Sequence, residues 1–352
     1  MSKRTDNMKN TSRETFGLPA YLAFGLVTFV IFLLCVSIGS VSIPIKETVK
    51  ILFNAISGKP VPENASASIL LSSRLPRVIC VALTGASLAV GGAAMQGLLK
   101  NPLADGSTLG VSSGASLGAV LAIAFGIQLP SLPFAGTMVM AILFAFGSLI
   151  LILALAWRLD YSLSTNTIIL IGVIFTMFVN SILSLVITFA SDHLKSITFW
   201  TMGSLAGSSY ANALVLLGAL VICGGLILMN DRELNAFAIG EDNARSVGVN
   251  VRRVRLTILI AVSALTGVCV SIGGSIAFVG LVTPHVVRMI TGPNHKKLLP
   301  ASLFGGASFL LLCDLAARII VNPLQLPIGV VTSLIGAVVF VIIFWRSRKG
   351  KG

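Results

Sequence analysis

Uncharged apolar runs recur along almost the whole chain, and they constrain its fold more than any single motif does. A helix needs roughly 20 apolar residues to cross the hydrocarbon of a bilayer. Ten candidate spans follow, at 18–41, 76–98, 110–127, 134–157, 166–190, 212–230, 256–279, 281–291, 298–316 and 327–345. The uncharged stretch 106–157 holds two of them, with the turn expected at 128–133, and the eighth is too short to cross alone. Of the 352 residues 55% are hydrophobic and only 11% charged, with a mean hydropathy of +0.97. A soluble domain carries about a quarter of its residues charged, so lipid must cover most of this surface. The fold expected is all-α and polytopic: a single transmembrane domain over 18–345, between tails at 1–17 and 346–352.

A net charge of +13 suggests nucleic acid at first sight. The basic residues sit at the ends of apolar runs, however, which is the pattern that orients membrane proteins, and no nucleic-acid partner is expected. With the N-terminus inside, seventeen of the 25 Lys and Arg fall on inner segments. Seven fall outside (Lys46, Lys50, Lys59, Arg74, Arg77, Lys195 and Arg318), and Arg288 lies in the short eighth span. Ten spans therefore place both termini in the cytoplasm. The first run is uncharged from Thr15 to Ile45, too long for a signal-peptide core, and is read as a span that stays. Cys35, Cys80, Cys223, Cys269 and Cys313 all lie in apolar stretches without metal or redox spacing, and are read as packing residues.

Two segments align at a constant offset of 182 residues. Leu83-Thr84-Gly85 matches Leu265-Thr266-Gly267, Gly91-Gly92 matches Gly273-Gly274, and Pro102 matches Pro284. The copies start at the second and seventh spans, an odd separation that inverts one relative to the other, as in the inverted repeats of transporters. Gly85, Ala89, Ala93 and Gly97 recur every four residues, the spacing that lets membrane helices approach closely.

No G-x-x-x-x-G-K-[ST] phosphate loop is present, so ATP hydrolysis, if used, belongs to another chain. Gly110-Val111-Ser112-Ser113-Gly114 fits the G-x-S-x-G nucleophile elbow and makes a serine hydrolase, with Ser112 and His285, the enzyme alternative. An ion-coupled secondary transporter is the other rival, but it needs ionisable groups in mid-membrane, and the spans hold almost none. Asp314 and Arg318, one turn apart near the outer end of the ninth span, suit either a structural ion pair or a docking role. Arg74 and Arg77 flank the outer mouth of the second span, where lipid-phosphate anchoring is also open. The one substantial polar segment within the bundle is 231–255. Gly240, Glu241 and Asp242 suit a helix start and Gly248 a stop, giving a short helix that is either a partner's handle or a solvated connector.

These motifs together resemble the FecCD-type permeases of iron–siderophore, haem and cobalamin ABC importers. The matches include Arg74-Leu75-Pro76-Arg77, Met95-Gln96, Asn101-Pro102-Leu103-Ala104, Leu109-Gly110-Val111 and Trp200-x-x-Gly203-Ser204-Leu205. Further along are the 240–248 segment, Phe278-Val279-Gly280-Leu281-Val282-x-Pro284-His285-x-x-Arg288, Leu298-Leu299-Pro300, Asp314-x-x-x-Arg318 and Leu326-Pro327-Ile328-Gly329-Val330-Val331-Thr332. Only the N-terminal tail, the first span and the outer loop 46–68 fall outside. The resemblance implies a type II ABC importer permease fold in a bacterial cytoplasmic membrane. It also implies a second permease subunit, two ATPase subunits that bind the ATP, and an extracytoplasmic substrate-binding protein. It places Arg74, Arg77 and Arg318 at binding-protein docking positions, and Gly240, Glu241, Asp242, Ala244, Arg245 and Gly248 on the ATPase-coupling segment. Helix breaks and pathway positions are expected at Gln96, Asn101, Pro102, Ser112, Ser113, Gly114, Pro284 and His285. Two departures from the family pattern, Gly106 and Gly336-Ala337-Val338 where proline is frequent, imply a looser bend and a less kinked last helix. No cofactor or metal is expected on the chain, and the expected cargo is a ferric siderophore, with cobalamin or haem as alternatives.

Overall fold

The computed structural model describes residues 17–349 apart from 40, 42, 63, 128–134 and 162–163. The N-terminal tail to residue 16, the turn expected at 128–133 and the last three residues lie outside the described residues. Those described form helices and connecting turns, with no strand. In chain order the helices are α1 (Leu18–Ser37), α2 (Ile45–Ile56), α3 (Ala65–Leu99), α4 (Val111–Ala124), α5 (Ala135–Leu159), α6 (Thr165–Phe189) and α7 (Leu194–Thr201). There follow α8 (Tyr210–Met229), α9 (Asp231–Ile239), α10 (Glu241–Ser246), α11 (Val251–Gly273), α12 (Val279–Thr291), α13 (His295–Ile319) and α14 (Ile328–Lys349).

Each of the ten expected spans holds a helix among the described residues. Seven are long and apolar enough to cross a membrane, while Val111–Ala124, Val279–Thr291 and Ile328–Ile343 are shorter apolar helices. The second span starts eleven residues earlier than expected. Asn64 caps it, its Oδ1 accepting from Ala67 N at 2.9 Å. A π-helical turn at Ile69–Arg74 then leads into the regular helix from Leu75. The outer loop 46–68 is not irregular, because α2 occupies half of it. Neither α7 nor α9 was expected as a helix.

Helix α3 is the axis of the bundle, against which α13, α11 and α12 pack. Its small residues set the spacing. A Cβ on Gly85 would lie 2.3 Å from Gly306 O of α13, and one on Gly92 would lie 1.9 Å from Gly280 O of α12. The backbones touch there, which is how small-residue faces bind helices in lipid. The two repeat copies lie on the antiparallel neighbours α3 and α11, where Gly91 meets Val262. They diverge at their ends. The first runs through its Gly91-Gly92 pair to Leu99. The second stops at Gly273, continues through Gly274 at φ +68° and Phe278 at φ +68°, and restarts as α12.

The segment after α3 folds back into the bundle. Asp105 caps its single 3-10 turn, accepting from Ser107 N (3.0 Å) and Thr108 N (3.2 Å), while Thr108 Oγ1 accepts from Asp105 N (3.0 Å). Gly106 is pressed against α11, with a Cβ there falling 2.1 Å from Thr266 Oγ1. The bend expected at Gly106 is thus a capped turn packed closely on α11. Helix α14 continues through Gly336.

Candidate functional sites at the two ends of the bundle

At the end where α1 and α13 finish and α3 enters its regular stretch, Arg77 and Arg318 converge on Asp314, and Arg74 caps the end of α1. Arg77 donates from Nε (3.0 Å) and NH2 (2.8 Å) to Asp314 Oδ1, and from NH1 to Gln325 Oε1 (2.6 Å). Arg318 Nε lies 2.9 Å from the other carboxylate oxygen. The remaining donors serve α1. Arg74 donates to Ser37 O (2.9 Å), Val36 O (3.4 Å) and Val41 O, and Arg318 to Cys35 O and Ile38 O (3.0 Å each). The last carbonyls of a helix lack intrahelical partners and carry partial negative charge. Arg74 and Arg318 cap them, so one carboxylate has to serve only Arg77 and Arg318. Arg74, Arg77 and Arg318 are 6%, 7% and 3% exposed. In this structure the donors of these side chains are directed into the chain itself.

At the opposite end lie α9 and α10. The short helix expected after Gly240 is present as Glu241–Ser246, between Gly240 at φ +141° and Gly248 at φ +87°. Its residues divide between two faces. Asp242 and Arg245 are exposed, 3.6 Å apart, and Gly248 is exposed with Val247 beside it. Ala244 is fully buried, and Glu241 turns inward to an ion pair with Arg255 of α11, which is 1% exposed. A second contact joins α9 to α13. Asn235 Oδ1 accepts from His295 N (2.8 Å) and lies 2.9 Å from His295 Nδ1, while Asn235 Nδ2 donates to Asn294 Oδ1 (2.9 Å). Neither Asn235 nor Arg255 stands out in the sequence, since each looks like an ordinary polar residue near a span end.

The expected pathway residues form two groups. Gln96 of α3 donates to Leu281 O (3.1 Å) and Gly280 O (3.4 Å), beside Pro284 and His285 within α12. Asn101 caps its own turn, accepting from Leu103 N at 2.9 Å, with Pro102 between them. Ser112, Ser113 and Gly114 open α4 instead, with Ser113 Oγ 3.5 Å from Thr176 Oγ1 and Gly114 against Ser148 of α5. The main packing partners of α4 are α5, α6 and α11, whereas those of α12 are α3, α13 and α14, so Ser112 and His285 belong to different layers. A 3-10 turn precedes Gly110 where a nucleophile elbow needs a strand, and the hydrolase geometry is not formed.

A lipid-sized all-helical bundle, closely packed about one axial helix and carrying two short polar helices beyond its spans, defines a membrane permease. Residues 27–346 match the FecCD transport family, and the chain belongs to that family as the permease subunit of an ABC importer. It is 41% identical to YvrB of Bacillus subtilis (strain 168), an uncharacterized ABC transporter permease protein, over 90% of this chain and 91% of that one. It is 37% identical to the cobalamin import system permease protein BtuC of Halobacterium salinarum, over 82% and 76%. A solved structure of an inward-facing metal-chelate type ABC transporter superposes with a TM-score of 0.82 at 30% identity, covering 93% of this chain and 99% of that one.

Proposed function

We propose that this permease works as one of a pair, identical or paralogous, with two cytoplasmic ATPase subunits and an extracytoplasmic binding protein, and that it passes a metal chelate inward by alternating access. The observation that carries the energy hand-off is the α9–α10 segment. It is polar and lies beyond the spans, yet it is fastened to the span helices by Glu241–Arg255 and Asn235–His295. The exposed Asp242 and Arg245 face is what an ATPase would grip. Both termini and this segment lie on the cytoplasmic side, as the distribution of Lys and Arg supports. A chain that moves cargo this way performs no covalent chemistry. ATP binding on the partners biases the permease only through different contacts in its two states.

The cargo proposed is a ferric siderophore. The cobalamin relative and the metal-chelate structural neighbour support the broader class of chelates. Reconstitution of the full complex in proteoliposomes, with labelled ferric siderophore, cobalamin, haem and molybdate offered in turn, tests it. ATP-dependent accumulation of ferric siderophore is the expected result. Accumulation of cobalamin or haem alone would replace the cargo within the same class, and accumulation of molybdate alone, the cargo named for another relative, would overturn the chelate assignment.

A further inference from the structure

Resting on the proposed ATPase hand-off, we infer that α9 and α10 are two separately anchored levers, with Asn235 and Glu241 as the positioning residues that tie them to different span helices. Glu241 does not face outward. Its carboxylate meets the buried Arg255 in the first turns of α11, so a displacement of α10 pulls on α11 through an ion pair whose arginine is buried. Asn235 fastens α9 elsewhere. Its amide oxygen receives both the backbone N–H and the Nδ1 of His295 at the first residue of α13, and its amide nitrogen reaches Asn294, whose own oxygen caps Lys296 N at 3.0 Å. With Nδ1 donating, the far edge of the His295 ring lies against α3, where a Cβ on Gly97 would fall 2.3 Å from Nε2. Movement of α9 is therefore delivered to α13 and, through the ring, to the axial helix α3.

Between the two levers stands Gly240 at φ +141°, a conformation L side chains rarely adopt. A glycine there lets the two short helices turn relative to each other instead of acting as one rod. The two antiparallel repeat helices, α3 and α11, are thus connected to opposite sides of this joint. A stroke that rotates the segment shifts one against the other, which a single rigid attachment does not do.

The test uses the complete complex, with ATP hydrolysis and uptake measured together and Asp242→Cys on the exposed face cross-linked to the ATPase in each variant. Glu241→Arg and Arg255→Glu singly are expected to lower uptake per ATP hydrolysed about tenfold, within the usual range of inter-site coupling. The Glu241→Arg/Arg255→Glu exchange is expected to recover most of it. A milder cycle of Asn235→Ala and Glu241→Gln keeps the test decisive if the exchanged protein does not assemble. Independent levers predict additive losses in uptake per ATP, whereas sites acting as one body show strong coupling. No rescue in an assembled exchange variant, or a double variant no worse than either single, overturns the inference while the cross-link persists. Loss of the Asp242→Cys cross-link in the otherwise unaltered chain would instead remove the ATPase hand-off itself.

Discussion

Asp314→Ala is expected to abolish the folded permease, not merely to slow transport. The carboxylate is fully buried and serves two guanidinium groups, Arg77 through two hydrogen bonds and Arg318 through an ion pair at 2.9 Å. Removing one partner of a buried pair costs about 3–5 kcal/mol, because the charge left behind is desolvated and uncompensated. Here two cations lose their anion at once, in a chain whose total stability is on the order of 5–15 kcal/mol. Arg318 also caps α1, so its release loosens the α1 terminus as well. Thermal unfolding in detergent should show a large fall in midpoint, with little protein recovered from the membrane. Asp314→Asn, which keeps acceptor geometry without the charge, should fall between Ala and the parent. Ordinary stability of Asp314→Ala would show that the cluster is not what holds this end of the bundle together.

Gly92→Val is the second large effect. Its Cβ would lie 1.9 Å from Gly280 O and 2.6 Å from Gly280 Cα, all backbone, so no side-chain rotation relieves the clash and α3 must part from α12. Overpacking a tight core typically costs about 1–3 kcal/mol and more where backbones must separate. Even Gly92→Ala should lower the unfolding midpoint clearly. The neighbouring Gly91→Ala supplies the control. Its Cβ would meet only the Val262 side chain at 3.4 Å, an ordinary contact, and should be tolerated. Equal tolerance at both positions would contradict the α3–α12 approach.

How much of this was legible beforehand follows from the range of each interaction. The spans were readable because length and apolarity are local properties, and the short helix at Glu241–Ser246 because Gly240 and Gly248 punctuate it. The Asp314–Arg318 pairing was also in view, being one helical turn long. The partnership of Asp314 with Arg77 was not, since the two are 237 residues apart. An arginine at a span end looks the same in sequence whether it reaches lipid, a partner or the carbonyls of another helix. The ion pair of Glu241 was not in view either, because nothing local marks Arg255 as its partner. Helix α2 escaped for a different reason: it is short and lies in a stretch read only for its lack of a span.

The account depends most on one polar segment lying on the side of the membrane where ATP is found. Single-cysteine labelling with a membrane-impermeant maleimide tests this directly, using Asp242→Cys in a chain whose native cysteines are replaced. The residue should resist reagent added to intact cells and react fully once the inner face is opened. Full labelling from outside intact cells would place α9 and α10 away from any cytoplasmic ATPase and contradict the energy hand-off.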